Sequence, residues 1–322
     1  MSARTPGRIV VSIVIPCLNE EKNIGPSYER IRRVFDSVSD ADFQLIFVDD
    51  GSTDETLLCI RNLIAVDSRC GVVVNARNYG VYRSSFNALK YASGDVVVPM
   101  LPIDMQDPPE LIPSFIELWR QGHLVVAGAR YEREENWLMK IIRRSYYRLV
   151  SRLADFDLPK YVGEFQLLDK SIVRQLRTID DYYPYIRGLI ASLSSQRAIV
   201  PYVWKKREIG KSNMNLRKLL DQGLNGIVST STIPLRLISL CMLLVALSGI
   251  VFGVIQIIAH FSFSSGITEP GISTIIILTS LFGAASAISF GVLAEYVGAI
   301  HAQVRGRLRV IERDRVNLNG ES

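Results

Sequence analysis

The sequence predicts an α/β fold built on a Rossmann-like, mostly parallel sheet and followed by a two-helix transmembrane hairpin. Three observations predict it. Near-continuous β-branched runs at Ile9–Ile15 and Phe43–Val48 alternate with helical patterns, as expected for parallel strands buried on both faces. Acidic residues stand where those runs end, at Glu20, Asp49, Asp50 and Asp104. Two stretches without charge, Leu237–Ala259 and Ile272–Ala294, each exceed the ~20 residues that a helix needs to cross a bilayer.

In order, the first run ends at Pro16, and Asn19-Glu20-Glu21 opens a helix through about Ser37. The second run ends in Asp49-Asp50-Gly51-Ser52, and Ser52 with Glu55 suits a capping box for a helix through about Val66. A third strand, Gly71–Asn75, precedes Ala76-Arg77-Asn78-Tyr79-Gly80 and a helix to Ala92. A fourth, Asp95–Leu101, delivers Asp104 to a strand end. There Asp107-Pro108-Pro109-Glu110 carries an N-cap, prolines for the first turn and a capping-box acid for a helix from Pro108 to Arg120. Leu124–Ala129 reads as a strand, Trp137–Leu153 as a basic helix, Gly163–Phe165 as the start of a short apolar segment, Lys170–Ser195 as two helical pieces and Ala198–Trp204 as a further strand. Strands alternating with helices imply a parallel sheet with right-handed crossovers.

The expected divisions are a cytosolic catalytic domain over 1–212, an amphipathic juxtamembrane helix over 213–234, two transmembrane helices with a short external loop over 235–300, and a basic cytosolic tail over 301–322. Orientation follows from charge. Arg217, Lys218 and Arg236 precede the first span and Arg305, Arg307, Arg309, Arg313 and Arg315 follow the second, whereas the His260–Gly271 loop has Glu269 and no Lys or Arg. The positive-inside rule puts both flanks in the cytoplasm. The amino-terminal apolar run lacks the features of a signal peptide. The net charge of +5 gathers beside the membrane, so anionic lipid rather than nucleic acid is the expected partner. Four cysteines without metal or disulfide spacing suit a reducing compartment. Gly249 and Gly253, then Gly283, Ala287 and Gly291, form small-residue stripes that suit a packed hairpin or a homo-oligomer.

Six segments fall in order: VSIVIPCLNEE (Val11–Glu21), FVDDGSTDET (Phe47–Thr56), ARNYG (Ala76–Gly80), DMQDPPE (Asp104–Glu110), GAR (Gly128–Arg130) and PLRL (Pro234–Leu237). With Glu295-Tyr296 at the end of the second span, they resemble the inverting GT-A-fold glycosyltransferases that use polyprenyl phosphates. Those include the dolichol-phosphate mannose synthases and the undecaprenyl-phosphate sugar transferases. The resemblance runs through nearly the whole chain. It implies a GT-A catalytic domain that moves one sugar from a nucleotide-diphosphate-sugar to a polyprenyl, here undecaprenyl, phosphate at the cytosolic face of the inner membrane, feeding cell-envelope glycans such as lipopolysaccharide.

The resemblance also implies site residues. Donor binding falls to Pro16, Asn19, Glu20, Asp49, Asp50, Arg77, Arg130 and Arg144, and a divalent metal, Mg or Mn, to Asp104 and Gln106. Carboxylates accept from ring N–H and sugar hydroxyl groups, and a metal with nearby cations neutralises the leaving diphosphate. Glu164 and Asp104 are the implied catalytic residues, with Glu164 as base or acceptor-positioning group. Arg207, Lys211 and Ser212 would meet the acceptor phosphate just before the membrane helix.

Four departures stand against the family pattern. Pro102 occupies the first position of its Asp-x-Asp. Gly163-Glu164-Phe165-Gln166 replaces Gly-Asp-Phe-Arg, Gly210-Lys211-Ser212-Asn213-Met214 replaces a Gly-Glu-Ser-Lys-Tyr stretch, and Ala294 replaces a glycine. Proline can supply no ligand to a metal. Pro102 therefore favours a rival reading, a non-catalytic nucleotide-sugar-binding membrane subunit. A transferase with another lipid acceptor is a second rival. A processive synthase is disfavoured, because no Gln-x-x-Arg-Trp motif and no further spans occur.

Overall fold

A computed structural model describes residues 7–133, 161–181, 184–204, 233–262, 271–304 and 310–319. Two compact units divide the chain. One takes residues 1–152, 156–226 and 306–322, the other 153–155 and 227–305.

The first unit is organised by an eight-stranded sheet. Its strands are β1 (Ile9–Cys17), β2 (Ala41–Asp49), β3 (Cys70–Asn75), β4 (Val96–Val98), β5 (Val125–Arg133), β6 (Val162–Asp169), β7 (Arg197–Trp204) and β8 (Glu312–Val316), in the order β7-β5-β6-β4-β1-β2-β3-β8. The helices are α1 (Glu21–Asp36), α2 (Thr56–Val66), α3 (Val81–Ala88), α4 (Ile112–Arg120), α5 (Lys170–Thr178) and α6 (Ile186–Leu193). Side-chain alternation explains the layers. Ile13 and Ile15 of β1 and Leu45 and Phe47 of β2 join a core with Ile24 and Ile31 of α1, Ile60 of α2 and Phe115 of α4. Val14, Ile46 and Val48 point the other way, into a core with Ala88 of α3, Ile172 of α5 and Ile190 of α6. Two-sided burial is the reason these strands read as unbroken apolar runs.

The sheet is mixed. β1 pairs in parallel with β2 and β4, β2 with β3, and β5 with β7. β6 runs antiparallel to both β4 and β5, so the segment led by Gly163 is a full strand and the sheet is mostly, not entirely, parallel. Two expected capping boxes are absent. The residue before α2 makes no side-chain cap, and Asp54 instead accepts from Thr56 N at 3.0 Å. Asp107 caps nothing either. A 3₁₀ turn over Pro109–Leu111 precedes α4, and the Asp107 carboxylate turns inward to meet a cation.

Within the expected tail, β8 pairs antiparallel with β3 at the sheet edge. Its charged sequence hides it from a hydrophobic pattern but suits an edge strand. Glu312 accepts from Asn87 Nδ2 and Tyr91 Oη, both at 2.6 Å, and Arg61 pairs with Asp314 at 2.7 Å.

The second unit holds α7 (Ile233–Ser262) and α8 (Gly271–Val304), two helices long and apolar enough to cross a membrane. Their most apolar windows are Leu235–Phe252, with 0% of the window buried, and Leu281–His301, with 6%. Among the described residues, nothing lies within 4 Å of where a Cβ would project from Gly249, Gly283 or Gly291.

Candidate active site

Three loops at the carboxyl ends of β1, β2 and β3 are laced together by side chains. Asn19 takes a left-handed backbone, φ 56°, which Asn tolerates better than most residues. Its Oδ1 accepts from Thr53 N at 2.8 Å, and its N–H donates to Ser52 Oγ at 3.0 Å. Glu20 N–H donates to Thr56 Oγ1 at 2.8 Å, while Asn23 Nδ2 donates to Glu20 Oε2 at 2.5 Å. Asp49, buried, accepts from Ser52 N at 3.0 Å. Gly51 has φ +82°, and a Cβ there would stand 3.0 Å from backbone atoms of Arg77 and Asn78, so only glycine lets the second and third loops approach. Burial, reinforced by Asp49 and Glu20, pushes the Cys17 thiol well above its ordinary value, which leaves it a core residue and not a nucleophile.

Asp50 is the centre of this lacing. Its Oδ1 accepts from Asn75 Nδ2 (2.8 Å), Tyr79 N (2.9 Å) and Ser84 Oγ (2.7 Å), and its Oδ2 from Gly80 N (2.8 Å). A carboxylate has about four acceptor sites, so protein donors fill this one. It fixes the entry to α3. Arg77 is exposed on the same loop, its guanidinium 4.2 Å from the Tyr79 ring centre.

A cleft of about 140 Å³ opens beside these loops, lined by Pro16, Glu20, Val81, Met100, Pro102, Ile103 and Asp104. Its floor is the loop after β4. Met105 has φ 51°, a strained value for a long side chain. Bonds from α1 brace it: Ser27 Oγ donates to Ile103 O at 2.5 Å, Arg30 Nη1 to Met105 O at 3.4 Å, and Arg30 grips Glu110 through two bonds of 2.6 and 2.9 Å. Gln106 N–H approaches Asp104 Oδ1 at 3.4 Å.

The donor set can be tested against a divalent cation. Pro102 contributes nothing, Asp107 is engaged elsewhere, and no group of three or more His, Cys, Asp or Glu suited to a metal occurs among the described residues. The set does not fit a metal held by protein alone. It fits Mg²⁺ or a similar ion held by one or two protein oxygens and by substrate phosphates.

Arg130 and Asp107 form a buried pair at 2.7 Å, their side chains 15% and 1% exposed. Tyr202 Oη donates to Asp107 Oδ1, and Arg130 Nε reaches Tyr202 Oη at 3.0 Å. Burial opposes the Arg130 charge, but the Asp107 carboxylate outweighs it and holds the guanidinium protonated. The space is made by Gly163, where a Cβ would come 3.0 Å from Arg130 Cζ. Arg130, read from the sequence as a donor-phosphate cation, is thus anchored on Asp107.

Glu164 follows Gly163 on β6 and so turns to the other face. It is buried, and Tyr82 Oη lies 3.5 Å from its Oε1. β6 runs antiparallel to β4, with Val96 opposite Asp169, so Glu164 lies at the sheet edge from which the Asp104 loop departs. Gln166 Nε2 donates to Gly163 O at 2.8 Å. Arg187 at the start of α6 donates to Val162 O (3.2 Å) and, through Nε, to Tyr185 Oη (2.9 Å), which ties a cation to the start of β6.

The structure therefore gathers Pro16, Glu20 and Asp104 at one cleft, Asn19, Asp49, Asp50 and Arg77 in the adjoining loops, and Glu164 on the neighbouring strand edge. Arg144, Arg207, Lys211 and Ser212 lie outside the described residues. Sequence reasoning missed Tyr82, Arg187, Tyr202, Asn75, Ser84 and Arg30. For Asn75 the signal was a polar residue closing an apolar run; the others carry no local mark.

A mostly parallel Rossmann-like sheet with two carboxylates at a cleft on its carboxyl edge is the arrangement of a GT-A-fold glycosyltransferase, and the family match makes the assignment. The chain belongs to glycosyl transferase family 2, whose profile matches residues 12–177. It is 32% identical over 300 residues to the uncharacterized glycosyltransferase YkcC of Bacillus subtilis (strain 168), covering 93% of this chain and 92% of that one. It is 31% identical over 304 residues to the SfII prophage-derived bactoprenol glucosyl transferase of Shigella flexneri, covering 94% and 96%. Among solved structures, mannosyl-3-phosphoglycerate synthase from Rubrobacter xylanophilus shares the fold with a TM-score of 0.50 at 17% identity, over 82% of this chain and 78% of its own.

Proposed function

We propose that this glycosyltransferase moves a single sugar from a nucleotide-diphosphate-sugar to a polyprenyl phosphate, of the undecaprenyl type, with inversion. The observation that carries the reading is the joining of Glu20 and Asp104 in one cleft, with Glu164 at the same sheet edge. The name of the Shigella relative supports the lipid acceptor.

In the reaction an oxygen of the acceptor phosphate bonds to the anomeric carbon. The bond from that carbon to the donor diphosphate breaks, and the nucleoside diphosphate leaves with the electron pair. One displacement inverts the centre. The acceptor phosphate, with a second pKa of ~6, is mostly ionised near neutral pH and needs little deprotonation. Glu164 accordingly positions the acceptor more than it deprotonates it. Asn19, Glu20, Asp49 and Arg77 serve the nucleotide side, with Asp50 shaping their loops from behind. Asp104 and Gln106 would hold a divalent Mg or Mn ion, which when bound would supply neutralisation of the leaving charge. Arg144 for the donor, and Arg207, Lys211 and Ser212 for the acceptor phosphate, complete the proposal from sequence.

The location proposed is the inner (cytoplasmic) membrane, with the catalytic unit on its cytoplasmic side. Two features support it. Basic residues flank both apolar helices, and the chain returns after α8 to the sheet it left, as β8 on β3. A hairpin of two spans permits that return; a single span would not.

The test is a donor screen on the detergent-purified full chain with polyprenyl phosphate, following released nucleoside diphosphate and lipid-linked sugar, with Mg²⁺, Mn²⁺ or chelator. One productive donor, silenced by chelator, is the expected outcome. Product that survives chelator would remove the metal from the mechanism. Nucleotide binding without product from any donor would overturn the transferase reading in favour of the binding subunit.

A further inference from the structure

Val81 and Tyr82 are consecutive residues in the first turn of α3, yet they serve different parts of the site. Val81 lines the cleft with Glu20, Pro102 and Asp104. Tyr82 brings its phenol oxygen to 3.5 Å from Glu164 Oε1. The turn that presents them has little freedom. Asp50 holds the N–H groups of Tyr79 and Gly80 and the Ser84 hydroxyl, and Gly80 enters the helix at φ +92°. A shift of this turn toward or away from the cleft would therefore move the phenol against Glu164.

The surroundings keep that phenol a donor. Burial, and then the Glu164 charge, push its pKa up, so it stays protonated at any working pH. The other charged or titratable groups that act on it are Arg187 and Tyr185 from the α6 end and Arg130 from β5. Arg187 is itself tied to Val162 O, two residues before Glu164, so the cation and the carboxylate share one strand. On the far face, Gly163 admits Arg130.

We propose that Tyr82 is a positioning residue for Glu164, donating to its carboxylate and tying its orientation to the donor cleft through the first turn of α3. The inference rests on the reading of Glu164 as the acceptor-side carboxylate and goes beyond it by naming what orients that group. A hydrogen bond donated to a charged group fixes direction as well as distance, so its removal frees the Glu164 carboxylate to turn away from the acceptor.

The experiment is a double-mutant cycle in the full-length protein in detergent, with Tyr82→Phe, Glu164→Gln and the pair, each assayed for kcat, donor KM and melting temperature. Tyr82→Phe is expected to lower kcat roughly tenfold, the size of one hydrogen bond to a charged group. It should leave donor KM and the melting temperature unchanged. On the Glu164→Gln background it should add no further loss, because the partner it acts through is gone. Glu164→Asp, one methylene shorter, supplies a second route: it should make Tyr82→Phe nearly silent as well. Equal losses on all backgrounds, or no loss of kcat in Tyr82→Phe, would overturn the role of Tyr82 and leave the reading of Glu164 standing. Wild-type kcat in Glu164→Gln would instead overturn that reading, and the inference with it.

Discussion

Asp50 and Asp104 follow the two strands that flank β1, and the protein uses them in opposite ways. Asp50 is buried and takes four hydrogen bonds from its own chain, and the loops around it are cross-tied by Asn19, Ser52, Thr53 and Thr56. Asp104 is half-buried and lines the cleft, on a loop held at its shoulders by Ser27, Arg30 and the Arg130–Asp107 pair. The first carboxylate is scaffold and the second is presented. The same residue type, at equivalent ends of parallel strands, is enclosed by the scaffold in one place and lines the cleft in the other.

The sharpest way to break this contrast is through Asp107, which belongs to the presented loop but is spent like Asp50. Asp107→Ala leaves Arg130 buried without its counter-charge, a change that costs about 3–5 kcal/mol. A marked fall in the melting temperature is expected, with lost activity following from lost fold. An unchanged melting temperature would show that Arg130 is held by something other than Asp107.

Asp104→Ala should do the reverse. Removal of a group that stabilises the developing charge lowers kcat by about 10²–10³-fold, while expression, membrane insertion and melting temperature persist. Retained turnover would remove Asp104 from the mechanism. Asp50→Asn comes next in size. The amide turns an N–H₂ toward groups that are themselves donors, at a cost of about 1–3 kcal/mol. Calorimetry should show the loss, with residual activity falling only as the loops loosen.

Much of this contrast was legible in the sequence, and the part that was not has a physical cause. The β-branched runs announced β1, β2 and β3, because strands buried on both faces need no polar alternation. Asp104 and Glu20 stood out because each follows a strand end, whereas Glu164 came only through the family resemblance. β6 was read only as an apolar segment, since its direction depends on pairing partners and not on its own residues. β8 was invisible, because Glu312-Arg313-Asp314-Arg315-Val316 is charged as an edge strand should be. The capping boxes failed for a related reason. Ser52 and Asp107 have the right residue types at the right spacing, but tertiary partners, Asn19 N–H and the Arg130–Tyr202 pair, claimed them first. Spacing reports what a side chain could do locally and cannot report a better partner far away in sequence.

The smallest effect sharpens the comparison from outside the site. Asp67, just after α2, is a scaffold carboxylate like Asp50, but it is half-buried and not enclosed. It receives Arg69 Nη2 at 2.7 Å and Tyr28 Oη at 2.8 Å. The hydrogen bond from Arg69 holds its carboxyl down at about 2, against an ordinary 3.8. Because the folded-state value is the lower one, the unfolded chain takes up the proton first as pH falls. The stabilisation is therefore complete above pH 3.8 and is lost as the pH drops toward about 2. Solvent screening keeps it modest. In thermal scans across that window the wild type should lose more of its melting temperature than Asp67→Asn, and the two should share one kcat at neutral pH. Parallel slopes would show that the Arg69 pair is screened out. A changed kcat would show that scaffold and site are coupled, against the division drawn between Asp50 and Asp104.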